Sequence, residues 1–339
     1  MKPLVISAPL PRSLDLVFTP AARARLHATY EVLETTEAGL PALPDAVLAE
    51  ARYVLGQPAI PAPLLDRMAG LRAVLNVESN LIDNMPYPEL FRRGIHVLTT
   101  GAVFARPVAE LGLALLLDLF RGVTEADLAF REGRELWGAE GNARARLLTG
   151  AEVGLIGFGD LGRAFAQVLS GFRPVLRAHD PWLPPSVLAE AGAIPASLDT
   201  VLAESDTVIC VASVTSENRG FLGAAEFARM RPGAAFLLLS RADVVDFPAL
   251  LGAVEAGRIV AASDVWPEEP LPAAHPARHL PGLIRSAHRA GALDVAFTRM
   301  GDMVLEDMAL MDRGLPPLCC KRAERETVAR MRSRPVTRN

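Results

Sequence analysis

Six apolar segments of strand length follow one another between residues 152 and 288. They read EVGLIGF, PVLRAHD, TVICVAS, AAFLLLS, IVAASDV and LIRSAH, and stretches compatible with helices separate them. Strands with one face in water alternate apolar and polar residues, whereas near-continuous apolar strands are buried on both faces. Parallel sheets covered by helices on both sides contain such strands. This part of the chain therefore predicts a doubly wound parallel sheet of the α/β class.

A smaller set of short apolar runs lies near the start of the chain. PLVISA, YVLG, RAVLNV and HVLTT have strand length, and TPAARARLHATYEVLE predicts a helix with Thr19 as N-cap and Pro20 at its first position. From Val103 to about Arg121 the residues favour one long apolar helix. Because 339 residues are about twice a usual domain length, the sequence predicts two α/β domains.

Charge and cysteine content argue against several classes of protein. The net charge of −4 gives no basis for nucleic-acid binding. The stretch AELGLALLLDLF is interrupted by Asp118 and is too short to span a bilayer, and the N-terminal apolar run is too short for a signal peptide. The three cysteines, Cys210, Cys319 and Cys320, form no disulfide framework, so we expect a cytoplasmic protein. The polar, basic segment 319–339 predicts a frayed tail rather than a nucleic-acid-binding arm.

The segment VGLIGFGDLGRAFA carries Gly157, Gly159 and Gly162 in the spacing G-x-G-x-x-G. It follows a predicted strand and opens a predicted helix, and Asp180 ends the next strand, roughly 20 residues after the first glycine, as in dinucleotide-binding folds. The glycines allow a tight turn, a close approach of the backbone to a pyrophosphate, and close helix–strand packing. Asp180 would accept hydrogen bonds from ribose hydroxyls and repel a 2′-phosphate, which favours NAD over NADP. The alternative is that the glycines serve only a tight turn.

From about Leu71 to Pro317 the chain resembles the D-isomer-specific 2-hydroxyacid dehydrogenase family, which includes glyoxylate/hydroxypyruvate reductases and phosphoglycerate dehydrogenases. The resemblance rests on RRGIHVLTT, ARPVAELGLALLLDL, REGRELWG, the glycine loop with HDPW, SRADVVD, SDVWPEEPLP, SAHRAG and DRGLPPL. It implies an NAD-binding (Rossmann) domain inserted in a smaller flavodoxin-like α/β substrate domain, with the active site in the cleft and a homodimer formed through the long helix near Val108. The boundaries it implies are 1–102 plus 290–318 for the substrate domain, 103–289 for the NAD-binding domain, and 319–339 for the tail.

The resemblance assigns three catalytic residues. They are Arg241 in SRADVVD, Glu269 directly before the proline of EPLP, and His288 in SAHRAG. An arginine can hold a carboxylate in bidentate fashion and polarise the adjacent ketone. Histidine suits proton transfer because imidazole titrates near working pH. A carboxylate on the far ring nitrogen would orient the ring and stabilise its protonated form.

The remaining site residues follow from the same resemblance and from the glycine loop. Those expected to bind the cofactor are Gly157, Gly159, Asp160, Leu161, Gly162, Asp180, Thr215, Ser240 and Asp264. Those expected to bind the substrate are Asn76, Val77, Glu78 and Arg241. Glu268 is interpreted as a solvated turn residue, and His275 and His279 as loop residues. We expect no metal, because these histidines have no third ligand at a suitable spacing.

Some positions depart from the family pattern. The family has a glycine-rich turn where residues 76–80 read NVESN, and a glutamate in an anion site would weaken carboxylate binding. Glu78 must therefore point away, be neutralised, or favour a substrate with a positive or hydrogen-bonding group. Near the cofactor, Leu238, Ala242 and the stretch VASVT also replace the usual residues.

These observations lead to one main functional hypothesis and two alternatives. The main hypothesis is an NAD(H)-dependent oxidoreductase that interconverts a 2-oxo acid and a D-2-hydroxy acid by hydride transfer. The first alternative is a non-catalytic NAD(H)-binding sensor or corepressor-like protein on the same fold. The second is a dehydrogenase with an atypical substrate, such as an amino-bearing oxo acid.

Overall fold

The computed structural model describes residues 2–9, 12–78 and 81–331. The chain divides into two compact units. Unit 1 comprises residues 1–104, 215–217 and 292–339, and unit 2 comprises residues 105–214 and 218–291. These bounds lie close to the predicted ones at 102/103 and 289/290. The difference is that the segment after residue 318, predicted to be a separate tail, is part of unit 1.

The first 104 residues alternate strands and helices. The strands are β1 (Leu4–Ser7), β2 (Glu31–Glu34), β3 (Ala51–Leu55), β4 (Ala73–Asn76) and β5 (His96–Thr99). The helices are α1 (Leu14–Val17), α2 (Pro20–Thr29), α3 (Asp45–Glu50), α4 (Ala62–Asp66) and α5 (Tyr87–Arg92). Thr19 caps α2 as predicted, with its side chain accepting from Ala22 N. The predicted continuation of this helix through EVLE is wrong, since those residues form β2 and pair in parallel with β1. Strand pairing here overrides local helix propensity.

Residues 105–291 form the second alternating series. The helices are α6 (Ala105–Arg121), α7 (Val123–Arg131), α8 (Asp160–Leu169), α9 (Pro185–Glu190), α10 (Leu198–Glu204), α11 (Ala224–Arg229) and α12 (Phe247–Glu255). The strands are β6 (Glu152–Ile156), β7 (Val175–His179), β8 (Ile194–Pro195), β9 (Thr207–Cys210), β10 (Ala234–Leu238), β11 (Ile259–Ser263) and β12 (Leu283–Arg285). All six apolar runs identified in the sequence contain strands, whereas the short edge strand β8 carried no comparable signal.

The described part of unit 2 contains a seven-stranded parallel sheet in the order β12-β11-β10-β9-β6-β7-β8. Its central strands β9 and β10 are buried at every position. On one face, Phe227 of α11 packs edge-on against Phe236 of β10, with ring centroids 5.2 Å apart. The predicted doubly wound α/β class is confirmed. The reversal of strand order between β6 and β9 leaves the carboxyl ends of the strands as the edge where such sheets bind ligands.

Unit 1 contains a second parallel sheet, in the order β5-β4-β3-β1-β2. The final stretch adds α13 (Asp294–Asp312), β13 (Lys321–Arg322) and α14 (Arg325–Val328). Four methionines of α13 are buried against this sheet, as expected for a core face: Met300, Met303, Met308 and Met311.

The expectation of a frayed tail over 319–339 is wrong for its described part. β13 pairs antiparallel with β5, and Cys320 and Ala323 are buried. Asp307 of α13 is fully buried and accepts from the backbone N–H groups of Leu318, Cys319 and Cys320 at 2.7–2.9 Å. A buried carboxylate requires such partners, so this contact fixes the segment to the unit. Residues 332–339 lie outside the described part.

Helix α6 is present where it was predicted, but its apolar face serves its own unit. Val108 is 7% exposed, and α6 packs on α8 and β10. The expected dimer contact near Val108 stays a prediction. None of the described helices is long and apolar enough to cross a membrane.

Candidate active site

The carboxyl edge of the unit 2 sheet gathers residues from five strand ends. Gly157 follows β6, Asp180 follows β7, Arg241 follows β10, Asp264 follows β11 and His288 follows β12. Strand pairing in register brings these ends together although the residues are far apart in sequence.

The glycine loop has the form that a dinucleotide site requires. Gly157 has φ +91°, and a Cβ there would lie 2.8 Å from the backbone of Ala212. A Cβ at Gly162 would lie 2.5 Å from the carbonyl oxygen of Gly157. A Cβ at Gly159 would meet nothing within 4 Å, and no side chain caps α8, which starts one residue later. Two glycines thus permit close packing, and the third leaves open space beside a helix N-terminus with Asp160 and Leu161 in its first turn, which fits a pyrophosphate.

Asp180 holds the glycine loop through hydrogen bonds from the backbone. Its Oδ2 accepts from Phe158 N at 2.8 Å and its Oδ1 from Trp182 N at 3.0 Å. A pocket beside it is lined by Ala178, Leu183, Pro185, Leu188 and Ala196. A pocket next to a fixed carboxylate is the kind of site that the adenosine part of NAD requires. Arg177, which precedes Asp180 on β7, is instead paired with Glu152 and Glu204.

Glu269 and His288 are in direct contact. Glu269 Oε2 lies 2.5 Å from His288 Nδ1, and Glu269 Oε1 accepts from Trp266 N at 2.9 Å. The two side chains are 35% and 38% exposed, so they are accessible to a ligand while remaining hydrogen-bonded. With Nδ1 engaged by the carboxylate, Nε2 is the ring nitrogen left for proton exchange.

The loop that carries Glu269 contains a cis peptide bond before Pro270. Hydrogen bonds from neighbouring residues hold this loop. Arg278 donates to the carbonyl oxygens of Leu271 and Pro272. His275 accepts from Ala277 N at 3.2 Å and begins a short 3₁₀ turn. The residues that the structure describes hold no group of three or more potential metal ligands.

Asp264 is 1% exposed and organises the turn that bears His288. Its Oδ1 accepts from Ser286 Oγ (2.5 Å) and Arg289 N (3.0 Å), and its Oδ2 from Ala290 N (3.0 Å). Its carbonyl oxygen accepts from His288 N at 2.7 Å. Its expected contact with the cofactor stays a prediction.

Arg241 lies in unit 2 beside Ser240, and its Nη1 donates to the Ser240 carbonyl oxygen at 2.7 Å. Ser240 is 8% exposed and neighbours the buried thiol of Cys210, whose pKa burial raises to about 12. Two of the departures from the family pattern, Leu238 and Ala242, are buried in the core of this unit.

The turn expected to bind substrate lies in unit 1, at the end of β4. Glu78 N donates to Asn76 Oδ1 at 2.9 Å, and Val77 is 1% exposed, so Val77 can offer a ligand only its backbone. The Glu78 carboxylate lies 3.0 Å from Arg12 Nε, and the Arg12 guanidinium stacks 4.5 Å from the centre of the Phe297 ring. Of the three alternatives for Glu78, the structure shows neutralisation. Ser79 and Asn80, the end of this turn, lie outside the described residues.

Thr215 belongs to a short stretch, 215–217, that groups with unit 1. Its hydroxyl accepts from Glu217 N at 3.2 Å. Arg330 of the C-terminal segment contacts this stretch, with Ser216 N donating to its carbonyl oxygen (3.2 Å) and its guanidinium 3.3 Å from Glu217.

Sequence reasoning missed three residues that contact candidate site residues or their neighbours: Arg12 and Arg330 in unit 1 and Trp266 in unit 2. No motif singled out Arg12 or Arg330, and both act through partners distant in sequence. Trp266 lay inside the segment SDVWPEEPLP, where an aromatic residue among prolines could have drawn notice.

The chain is similar in sequence and in fold to several known proteins. A sequence profile described as "D-isomer specific 2-hydroxyacid dehydrogenase, NAD binding domain" matches residues 113–290. A glyoxylate reductase of Korarchaeum cryptofilum is 32% identical over 240 residues, which cover 69% of this chain and 72% of that protein. The crystal structure of a phosphoglycerate oxidoreductase from Rhizobium etli is 64% identical, covers 96% of this chain and all of that one (100%), and has a TM-score of 0.90. That of an NADPH-dependent glyoxylate/hydroxypyruvate reductase from Sinorhizobium meliloti is 26% identical, with a TM-score of 0.70 over 94% of this chain and 98% of that one.

Proposed function

Because the chain belongs to the D-isomer-specific 2-hydroxyacid dehydrogenase family and is an NAD-dependent enzyme of that family, we propose that His288 is its general acid and base. In this proposal Glu269 orients His288, Arg241 binds the substrate, and the reaction interconverts a 2-oxo acid and a D-2-hydroxy acid.

The protein must hold a carboxylate and move one proton. When bound, NADH supplies the hydride that reduces the 2-oxo carbon. Arg241 offers a planar, permanently charged fork that matches a carboxylate. His288 gives a proton from Nε2 to the oxygen that becomes the hydroxyl group, and Glu269 stabilises the protonated ring through Nδ1. In the reverse direction the same nitrogen accepts the proton.

The observation that carries this proposal is the 2.5 Å contact between Glu269 Oε2 and His288 Nδ1. A carboxylate that binds one ring nitrogen fixes which nitrogen exchanges a proton with a ligand. A turn serving only the fold would not need a half-exposed acid–histidine pair at the ligand-binding edge of a parallel sheet.

The test is turnover across a panel of 2-oxo acids, followed by the loss of NADH absorbance. The panel runs from glyoxylate through hydroxypyruvate and its 3-phosphate to branched and aromatic 2-oxo acids. His288→Asn should lower kcat by roughly 10²- to 10⁴-fold while the Kd for NADH is retained. The matched control is His279→Asn, a change in an exposed loop histidine that should leave the rate near that of the unaltered protein. A rate near the starting value for His288→Asn would remove His288 from the mechanism. Tight NADH binding without turnover of any acid would favour the sensor alternative.

We also propose that NADH is preferred over NADPH. The Asp180 carboxylate after β7 would repel a 2′-phosphate, and Arg177 is engaged by Glu152 and Glu204. One of the similar proteins is NADPH-dependent at 26% identity, so the preference needs measurement. Kd values for the two cofactors, measured by titration, decide it, and tighter NADPH binding would contradict it.

For the substrate we propose a plain or anionic 2-oxo acid rather than an amino-bearing one. An amino group would need Glu78 as its counter-charge, whereas that carboxylate is engaged by Arg12 at 3.0 Å. In the same substrate panel, faster turnover of an amino-bearing 2-oxo acid than of glyoxylate would contradict this.

We propose a homodimer that uses α7 and the loop after it. Four large apolar side chains there are more than half exposed: Leu128, Phe130, Leu136 and Trp137. Helix α7 buries no residue, and a helix of nine residues is not stable in water by itself. A second copy of the chain would cover this surface. Light scattering should give twice the chain mass, and Phe130→Ser should lower it. The three free thiols support a reducing, cytoplasmic location.

A further inference from the structure

We propose that Trp266 is a positioning residue that holds Glu269 and His288 in register, an inference that rests on the catalytic role proposed for that pair. Its backbone N–H donates to Glu269 Oε1 at 2.9 Å. Its indole Nε1–H donates to the carbonyl oxygen of Ser286 at 2.8 Å, two residues before His288. A single residue therefore bonds both the acid and the turn that bears the histidine.

The indole is a rigid link. Trp266 is 8% exposed, and its ring packs against Phe247 with centroids 5.6 Å apart and planes at 61°. A buried indole N–H needs an acceptor, and the Ser286 carbonyl oxygen provides it. Because packing fixes the ring, the N–H fixes the position of Ser286 relative to the loop that carries Glu269.

Glu269 and His288 need such a link because they stand on different segments. Glu269 lies in the loop after β11 and His288 in the turn after β12. They share one hydrogen bond between side chains that are more than a third exposed. A bond in that setting does not by itself fix the two segments against each other.

The turn that bears His288 is also strained. His288 has φ +49°, a left-handed conformation that a non-glycine residue keeps only when its surroundings enforce it. Asp264 holds this turn to the end of β11 through Ser286 Oγ and the His288 backbone. Trp266 holds the same turn to the Glu269 loop through the Ser286 carbonyl oxygen. Asp264 and Trp266 thus fix the turn toward two different neighbours, and of these two residues Trp266 is the one that also bonds Glu269.

Trp266→Phe tests this inference because phenylalanine keeps the backbone N–H and an aromatic ring but lacks the indole N–H. We expect kcat to fall about fivefold, the size of one neutral hydrogen bond, while the Kd for NADH stays unchanged. We also expect the far-downfield proton resonance of the His288 Nδ1–H to weaken or shift. Glu269→Gln identifies that resonance by abolishing it.

A double-mutant cycle separates positioning from general packing. If Trp266 acts through Glu269, then Trp266→Phe costs little further activity in a Glu269→Gln background. Phe247→Leu is the packing control: it removes the ring contact and leaves both hydrogen bonds, so it should lower stability without moving the His288 resonance. Equal, additive losses in both backgrounds, or the same resonance change in Phe247→Leu, would overturn the inference.

Replacing Trp266 with 3-benzothienylalanine covers the case in which Trp266→Phe does not fold. This residue keeps the two-ring shape and lacks the N–H, so a normal His288 resonance in it would also overturn the inference. The NMR readout does not depend on turnover. If His288→Asn keeps its activity, the proposed function fails, and the resonance still reports whether Trp266 sets the geometry of the pair.

Discussion

Glu269→Gln removes the negative charge opposite His288 and leaves a side chain of nearly the same shape. At about 4 Å, two unit charges attract by about 4 kcal/mol near a protein surface and about 1 kcal/mol in water. The two side chains are 35% and 38% exposed, so solvent screening places the loss toward the lower value, about 1.5 to 2 kcal/mol. That range corresponds to about a 10- to 30-fold fall in kcat, because the protonated ring loses its counter-charge.

The assay is steady-state reduction at saturating NADH and 2-oxo acid, with the Kd for NADH measured separately. Glu268→Gln is the matched control, because it makes the same chemical change one residue away in an exposed position. We expect that control to stay within about twofold of the unaltered enzyme, as is usual for exposed positions. The Kd for NADH should be the same in both variants.

Two results would refute the reasoning. A fall in kcat for Glu268→Gln but not for Glu269→Gln would mean that the other glutamate is the functional one, against the observed contact with His288 Nδ1. Full activity in both variants would mean that the acid–histidine pair has no part in the reaction.

Three further outcomes are expected. Asp180→Ala should raise the Kd for NADH about tenfold or more by titration and relax the discrimination against NADPH, because the Phe158 N–H loses its acceptor and the repulsion of a 2′-phosphate is removed; an unchanged ratio of the two Kd values would contradict this. Glu78→Gln should lower the KM for anionic 2-oxo acids about fivefold, because it leaves the Arg12 charge uncompensated, and a higher KM would count against that view. Burial, followed by a neighbouring carboxylate, raises the pKa of Cys319 to about 11, so at pH 8 roughly one thiol in a thousand is ionised. A disulfide reagent should therefore react with Cys319 far more slowly in the folded protein than in the unfolded protein, and equal rates would contradict the raised pKa.

Local sequence patterns were sufficient for the parts of the fold that repeat. The apolar runs predicted the strands of the larger sheet because burial on both faces demands apolar residues at every position. The glycine spacing and the acid after the second strand predicted the loop geometry, because only glycine fits where a Cβ would meet the backbone, as at Gly157 and Gly162. The sequence resemblance also selected Glu269 over Glu268, and the structure places Glu269 against His288.

The sequence misjudged segments whose structure depends on distant partners. The segment after residue 318 looked polar and free, yet Asp307 and β5 hold it in place. EVLE continued a helical pattern and forms β2, because pairing with β1 outweighs helix propensity. In both cases the deciding partner is remote in sequence, and short-range periodicity contains no signal for it.

Sequence and tertiary structure determined different features of the candidate site. The sequence by itself determined the fold class and the cofactor loop, because these depend on local patterns and spacing, and the family resemblance supplied the candidate catalytic residues. Only the tertiary structure decided that Arg12 neutralises Glu78 and that Trp266 joins the Glu269 loop to the His288 turn. Those contacts join loops, where side chains follow no period. Each contact joins residues that are distant in sequence.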